Sequence, residues 1–168
     1  MEDNITQVVL PKKRPTFLTV LCILTFIWSG AYGILYLGYD YLTFEKTYPQ
    51  KAAMFAETIE TLEDAGQDSG MIYDGMIKAQ YVLEKTAQNL DTFYLANIFF
   101  ALLSVLGAFL MFQMKKNGFY VYAASNLFWM LVPVGIIGME LGLFAIISSM
   151  AMAILFIILY AVNLKHME

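Results

Sequence analysis

TFYLANIFFALLSVLGAFLMFQM, residues 92–114, runs for 23 residues without a charge or a proline. As a helix rising 1.5 Å per residue it reaches about 35 Å, more than a hydrocarbon core of about 30 Å. Lys115 and Lys116 end it, and a second uncharged run, 117–139, starts at once. The same pattern recurs at 16–39 and 141–164. Strands of a soluble core would be interrupted by turns every few residues, and alternating barrel strands of about ten residues are absent. Helices whose backbone bonds close within the segment are then the way to satisfy N–H and C=O groups in lipid. The chain as a whole agrees: 60% is hydrophobic and 14% charged, against roughly 25% charged in soluble domains. The expected fold is all-α, a transmembrane four-helix bundle.

Run 16–39 also has traits of a cleaved leader, with Lys12, Lys13 and Arg14 before it and Ser29 and Ala31 near its middle. Its apolar stretch is longer than a leader core of about 7 to 15 residues, and three more runs follow, so it is read as a span.

Six of the ten basic residues, Lys12, Lys13, Arg14, Lys115, Lys116 and Lys165, fall in short segments that four crossings place on one side. Short basic segments stay cytoplasmic. The other four are diluted among ten acids in segment 40–91, which carries a net charge of −6. The expected order is a cytoplasmic tail 1–15, helix 16–39, an acidic extracytoplasmic segment 40–91 and helix 92–114. A cytoplasmic turn 115–118, helix 119–139, an outer turn 140–142, helix 143–164 and a cytoplasmic tail 165–168 complete it. Tyr36, Tyr39, Tyr41 and Tyr94 fit an aromatic belt at the outer interface.

Segment 40–91 reads as an antiparallel helical hairpin. Thr47 and Gln50 form a capping pattern with Pro49 in the first turn. Ala52, Phe55, Ala56, Ile59 and Leu62 then recur at helical spacing. Residues 66–70 make a turn in which Ser69 can cap the return. Ile72, Met76, Ala79, Leu83, Thr86, Leu90 and Phe93 follow a 4,3 spacing that enters the second span without a breaker. The hairpin either stands upright or lays its first helix on the membrane, although surface helices carry basic polar faces and this one is acidic. Phe55, Ile59, Leu62, Met76 and Leu83 either pack seam on seam or leave a surface for a protein partner.

No run contains a charged residue, whereas proton relays, coupled transporters and intramembrane catalysts place ionisable groups there. Glu140, between the last two spans, reads as an interfacial anchor. His166 lies in the tail, Cys22 is the one cysteine, and no phosphate loop, nucleophile elbow or basic nucleic-acid stripe occurs. The expectation is no enzyme, no cofactor, no metal and no nucleic acid. Thr25, Ser29 and Gly33, and likewise Ala145, Ser149 and Ala153, form small-xxx-small faces that allow close helix packing within the bundle or across a homo-oligomer. Asn97, Ser104, Gln113, Ser125 and Asn126 are candidates for bonds between helices, with Asn97 and Asn126 the intramembrane polar positions that alternatively touch a solute. Pro133, with Gly135 and Gly138, marks a kink or hinge in the third span.

The pieces RPTFLTVLCILTFI (14–27), KKNGFYVY (115–122) and YAVNLK (160–165) resemble those of small bacterial four-span integral membrane proteins. The resemblance implies the same topology in a bacterial cytoplasmic (inner) membrane and brings no activity or site residues with it. The chain lacks the cysteine pair and tryptophan motif of the claudin first loop and the intramembrane Glu of small multidrug exporters. The expected role is a structural or assembly subunit that meets partners through its acidic hairpin, with a small oligomeric carrier or pore as the alternative.

Overall fold

The computed structural model describes residues 14–168, with the side chains of 140–146, 148 and 149 outside that description. What was expected of Lys12 and Lys13, and of the side chains of Glu140, Ala145 and Ser149, therefore lies outside the described residues. Helix follows helix, and no strand occurs among the described residues. The elements are α1 (Thr16–Asp64), α2 (Met71–Gln88), α3 (Leu90–Phe112), α4 (Asn117–Trp129), α5 (Leu131–Ile137) and α6 (Met139–Asn163). Three helical stretches, Thr16–Asp64, Leu90–Phe112 and Asn117–Ile137, are long and apolar enough to cross a membrane. Among the described residues, the stretch Met150–His166, from α6 into the turn after it, is also apolar.

Helix α1 is not uniform. From Phe26 to Tyr36 it widens to π-helical bonding, closed by Leu37 N–H donating to Tyr32 O five residues back. Wider turns of this kind appear mostly as short bulges, and often where helices serve a function. Beyond it the helix runs unbroken through Pro49 to Asp64, so no new helix starts at Thr47. The Thr47 hydroxyl turns back to Phe44 O (3.3 Å) instead of capping. The axis is bent in this region. Lys51 Nζ lies 3.1 Å from Asp40 Oδ1, yet eleven residues of straight helix separate two positions by about 16 Å, further than the two side chains span together. Pro49 lies within that interval and supplies the cause, since it removes a backbone donor and crowds the turn before it.

The arm formed by the far part of α1 and by α2 turns at Gly66. There Gln67 N–H donates to Leu62 O (2.8 Å) and Gly66 N–H to Glu63 O (2.9 Å), a Schellman closure that uses the positive φ of Gly66. Gly70, not Ser69, precedes α2, and no side chain caps it. Nor does α2 flow into α3. Asn89 (φ −125°, ψ 37°) interrupts them, with its own amide bonded to Lys85 O (3.1 Å), a local side-chain bond that competes with the helix.

Helices α3 and α4 pack as a tight antiparallel pair. A Cβ on Gly118 would lie 2.5 Å from Gly107 O, and one on Gly107 would lie 2.7 Å from Tyr122 N, so the two backbones touch where only hydrogen fits. Gly118 therefore belongs to the packed helix rather than to a turn ending at 118. Pro133 cannot donate to Trp129 O, and the helix breaks at Met130 between α4 and α5. The turn expected at 140–142 is instead at Gly138 (φ 98°), a conformation glycine adopts without steric cost.

One end of the molecule gathers Arg14, the α3–α4 turn and the last residues. Arg14 donates to Phe112 O (2.7 Å) and stacks 3.5 Å over the Phe112 ring. Glu168 N–H donates to Met114 O (2.8 Å), and Lys116 N–H to Glu168 O (2.7 Å). Behind this Arg14 end lies the best-buried core: Leu18, Leu21, Cys22, Met111, Tyr122, Tyr160 and Met167. The opposite, Asp40 end carries the arm.

Candidate interhelical groove and the Asp40 knot

Halfway between the two ends, polar side chains of α3 and α4 meet. Ser104 and Ser125 share a hydrogen bond (2.9 Å), and Asn126 donates its amide to Ser104 Oγ (3.2 Å) and to Tyr122 O (2.8 Å). Two turns nearer the Asp40 end, Trp129 Nε1 donates to Asn97 Oδ1 (2.6 Å), and Asn97 donates to Phe93 O (2.6 Å). Four of the five polar positions marked in the sequence thus join across one helix pair, and each bond of this kind contributes about 0.6 kcal/mol on average in a bilayer. Gln113, the fifth, is exposed.

Beside this ladder a groove of about 400 Å³ opens between α1, α3 and α4. Its far wall is the π-helical part of α1, where Trp28 and Tyr32 stack (5.4 Å between ring centres) and Tyr32 stacks on Tyr36 (5.2 Å). Asn97, Ser104, Asn126 and Trp129 form the opposite wall, and Ser29 and Gly33 also line it. Its width is fixed at Gly33, whose added Cβ would lie 2.8 Å from Ala101 Cβ. Pro133 is not among the lining residues.

The small residues of α1 diverge in use. Thr25 is buried and bonds the Tyr160 hydroxyl on α6 (2.8 Å), Gly33 packs on α3, and Ser29 faces the groove. Because α1 changes to i→i+5 bonding after Thr25, a four-residue repeat no longer holds one face. On α6, Ala153 is half-buried. Cys22 is buried, with its thiol toward Ala108 O (3.4 Å).

At the Asp40 end a second cluster forms. Asp40 accepts from the Tyr94 hydroxyl and pairs with Lys51, while Tyr41 donates to Asp91 (2.8 Å). Phe44 is buried in this knot, edge-on to Tyr94 and stacked on Tyr48. At the arm's tip Tyr73 donates to Glu63 (2.7 Å). Hydrogen bonds to carboxylates hold the Tyr41 and Tyr73 phenols above their usual pKa.

The arm's seam residues point inward to different degrees: Ile59 is buried, and Phe55, Leu62, Met76 and Leu83 are half-buried. The large apolar side chains it leaves outside are Leu42, Met54, Met71, Ile72, Ile77 and Tyr81, with Met71 92% exposed. Sequence reasoning passed over Gly107, Gly118, Trp28, Tyr32 and Asp40. The first two carried a readable signal, since each glycine stands near the Lys115–Lys116 turn on one of the two helices it joins.

No family model, curated protein or solved structure matches this chain.

Proposed function

We propose that the chain crosses a bacterial cytoplasmic membrane four times, through the near part of α1, then α3, then α4 with α5, then α6. In this reading the Arg14 end is cytoplasmic, and the acidic arm, 40–91, is an extracytoplasmic hairpin that docks a protein partner. The protein is then a structural or assembly subunit rather than an enzyme. The observation that carries this is the Asp40 knot: Tyr94 of α3 bonds Asp40 and packs on Phe44, with Lys51 bracing Asp40 from within α1, which makes the arm a built element and not a slack linker. Support for the fourth crossing comes from the length of α6, 25 residues, and from Glu168 bonding to the α3–α4 turn, which brings the chain's end back to the Arg14 side.

An arm of net charge −6 suits a partner with a basic face, and the attraction weakens as salt rises. Crosslinking in native membranes followed by purification is the test. The expected result is one recurrent protein partner, lost when the arm's Glu57, Glu60 and Glu63 are changed together to Gln. Recovery of the chain alone, or only as its own oligomer, rejects the reading.

The groove favours a second reading, a small carrier, because it puts Asn126 beside open space within the bilayer's depth. The packed core of Leu18, Cys22, Tyr122 and Tyr160 between the groove and the Arg14 end weighs against an open path. Solute flux from liposomes that is lost on Asn126→Leu would establish the carrier, and inert liposomes would dismiss it.

A further inference from the structure

We infer that the groove is a binding site for an uncharged amphiphile drawn from the lipid phase, a hydrocarbon body bearing a hydroxyl. The inference goes beyond partner docking and rests only on the membrane placement within that reading.

Size and composition come first. A volume of about 400 Å³ lies within the roughly 300 to 1,000 Å³ of small-molecule sites, which are mostly apolar and aromatic with a few placed polar groups. Trp28, Tyr32, Phe93, Phe100 and Trp129 provide the aromatic walls. Among the described residues no acid or base lines the groove, so a charged head would enter without a counter-charge from them, which low-dielectric surroundings penalise heavily.

Hydrogen-bond bookkeeping selects the ligand's head. Trp129 spends its N–H on Asn97 Oδ1, Asn97 spends an amide proton on Phe93 O, and Asn126 uses its amide on Ser104 Oγ and Tyr122 O. What remains at Asn126 is Oδ1, to which nothing donates among the described residues. No sealed side-chain polar atom lacks a partner among those residues, so this oxygen is accessible, on a residue that lines the groove. An acceptor facing hydrocarbon is costly, and Ser29 and Tyr32, which also line the groove, carry hydroxyls that donate as well as accept, so a hydroxyl head, which can serve Asn126 Oδ1 and these groups together, satisfies the wall where a head that only accepts leaves Asn126 Oδ1 unpaired.

Depth excludes the ordinary occupant. Ser104 lies ten residues along α3 from Tyr94, about 15 Å from the Asp40 end. A phospholipid whose headgroup stays at that interface brings only acyl chain to Asn126. A molecule whose single polar group is a hydroxyl can bring that group to this level.

Both tryptophans of the chain line the groove, so intrinsic fluorescence reads it directly. In nanodiscs, the wild-type protein is titrated with a terminally brominated long-chain alcohol, with the methyl ether of that alcohol, and with phosphatidylcholine brominated on its chains. The expected result is saturable quenching by the alcohol, half-complete at a mole fraction at least ten-fold below that of either other probe. Asn126→Leu should move the alcohol's midpoint to that of the ether, and Ser29→Leu, which fills the groove without touching the polar ladder, should lower the quenching amplitude. Equal titration by alcohol and ether, an unchanged midpoint in Asn126→Leu, or an unchanged amplitude in Ser29→Leu overturns the proposal while leaving the membrane placement intact. Failure of the wild type to enter nanodiscs, seen by gel filtration, rejects the placement itself and the site with it.

Discussion

Helices α3 and α4 pack in two different ways along one pair of rods. Near Gly107 and Gly118 their backbones touch, so that even a methyl group would overlap an opposing carbonyl. Ten residues away along α3, at Asn97, the same helices make polar contacts and border an open groove. Composition does not separate the two regions, since both lie in uncharged runs rich in Phe, Leu and Ala. What separates them is whether a side chain of zero volume stands at the crossing. Small residues at a crossing let backbones approach closely enough for van der Waals packing to hold two apolar helices together. The Arg14 end is locked by that contact, and the Asp40 half has space to hold something else.

The largest effect should come from breaking the locked region. Gly118→Ala puts a Cβ 2.5 Å from Gly107 O. Overpacking against backbone that cannot yield costs about 3 kcal/mol, roughly a 6–12 °C fall in Tm for a chain of this length. Gly30→Ala, where a Cβ meets nothing within 4 Å, should stay within about 1 kcal/mol, and on the stabilising side, because alanine favours helix over glycine. Thermal unfolding in detergent followed by circular dichroism measures both, and equal shifts for the two would erase the distinction between the regions.

A subtler pair compares the same chemical loss in the two regions. Thr25→Val strands the Tyr160 hydroxyl in a site where Tyr160 is 0% exposed, at a cost of about 1 to 3 kcal/mol. Asn126→Leu also removes an interhelical bond, to Ser104, but beside open space, and should cost about 0.6 kcal/mol. Unfolding measurements that reverse this order would mean that the groove is as well packed as the core.

Much of this contrast could not be read from residue types. The uncharged runs foretold helices long enough for a membrane, because charge is excluded wherever lipid is the solvent, and three such helices are present. The polar set Asn97, Ser104, Ser125 and Asn126 was legible because unpaired amides and hydroxyls are costly in apolar surroundings and must find one another. The π-helical stretch of α1 was not, since FIWSGAYGILY has no residue that demands wider bonding, and its register decides that Trp28 and Tyr32 border the groove. Thr47 and Pro49 read as a helix start, yet both lie inside a helix that already exists. Proline tolerated by bending looks the same in sequence as proline at a first turn.

The knot offers a smaller effect confined to the arm. Asp40→Asn removes the charge that faces Lys51, a pair in which both side chains are partly exposed, worth up to about 1 kcal/mol. The arm's open population should rise by up to about five-fold, and cleavage within 49–88 should rise with it, as proteolysis follows the population of the open form. The bundle's Tm should not change. Equal digestion of the two proteins would show that Phe44 and Tyr94 hold the arm without the carboxylate.

The smallest effect tests the arm's tip. Tyr73 is half-buried at the arm's surface, and its hydroxyl donates to Glu63. Losing the proton would replace that bond with a phenolate beside a carboxylate, so the folded arm holds its pKa above the ordinary 10.0. The unfolded chain ionises first. The contribution to the fold is therefore complete below pH 10 and disappears as pH climbs through the higher folded value. Tyr41 with Asp91 follows the same sign at the arm's base. Subtracting the tyrosinate absorbance of a Tyr73→Phe variant from that of the wild type isolates one phenol, and its midpoint should lie above pH 10. A midpoint at or below 10 would mean that Glu63 and Tyr73 do not meet in solution, leaving the Schellman turn at Gly66 to close the arm alone and making its tip the loosest part of the molecule.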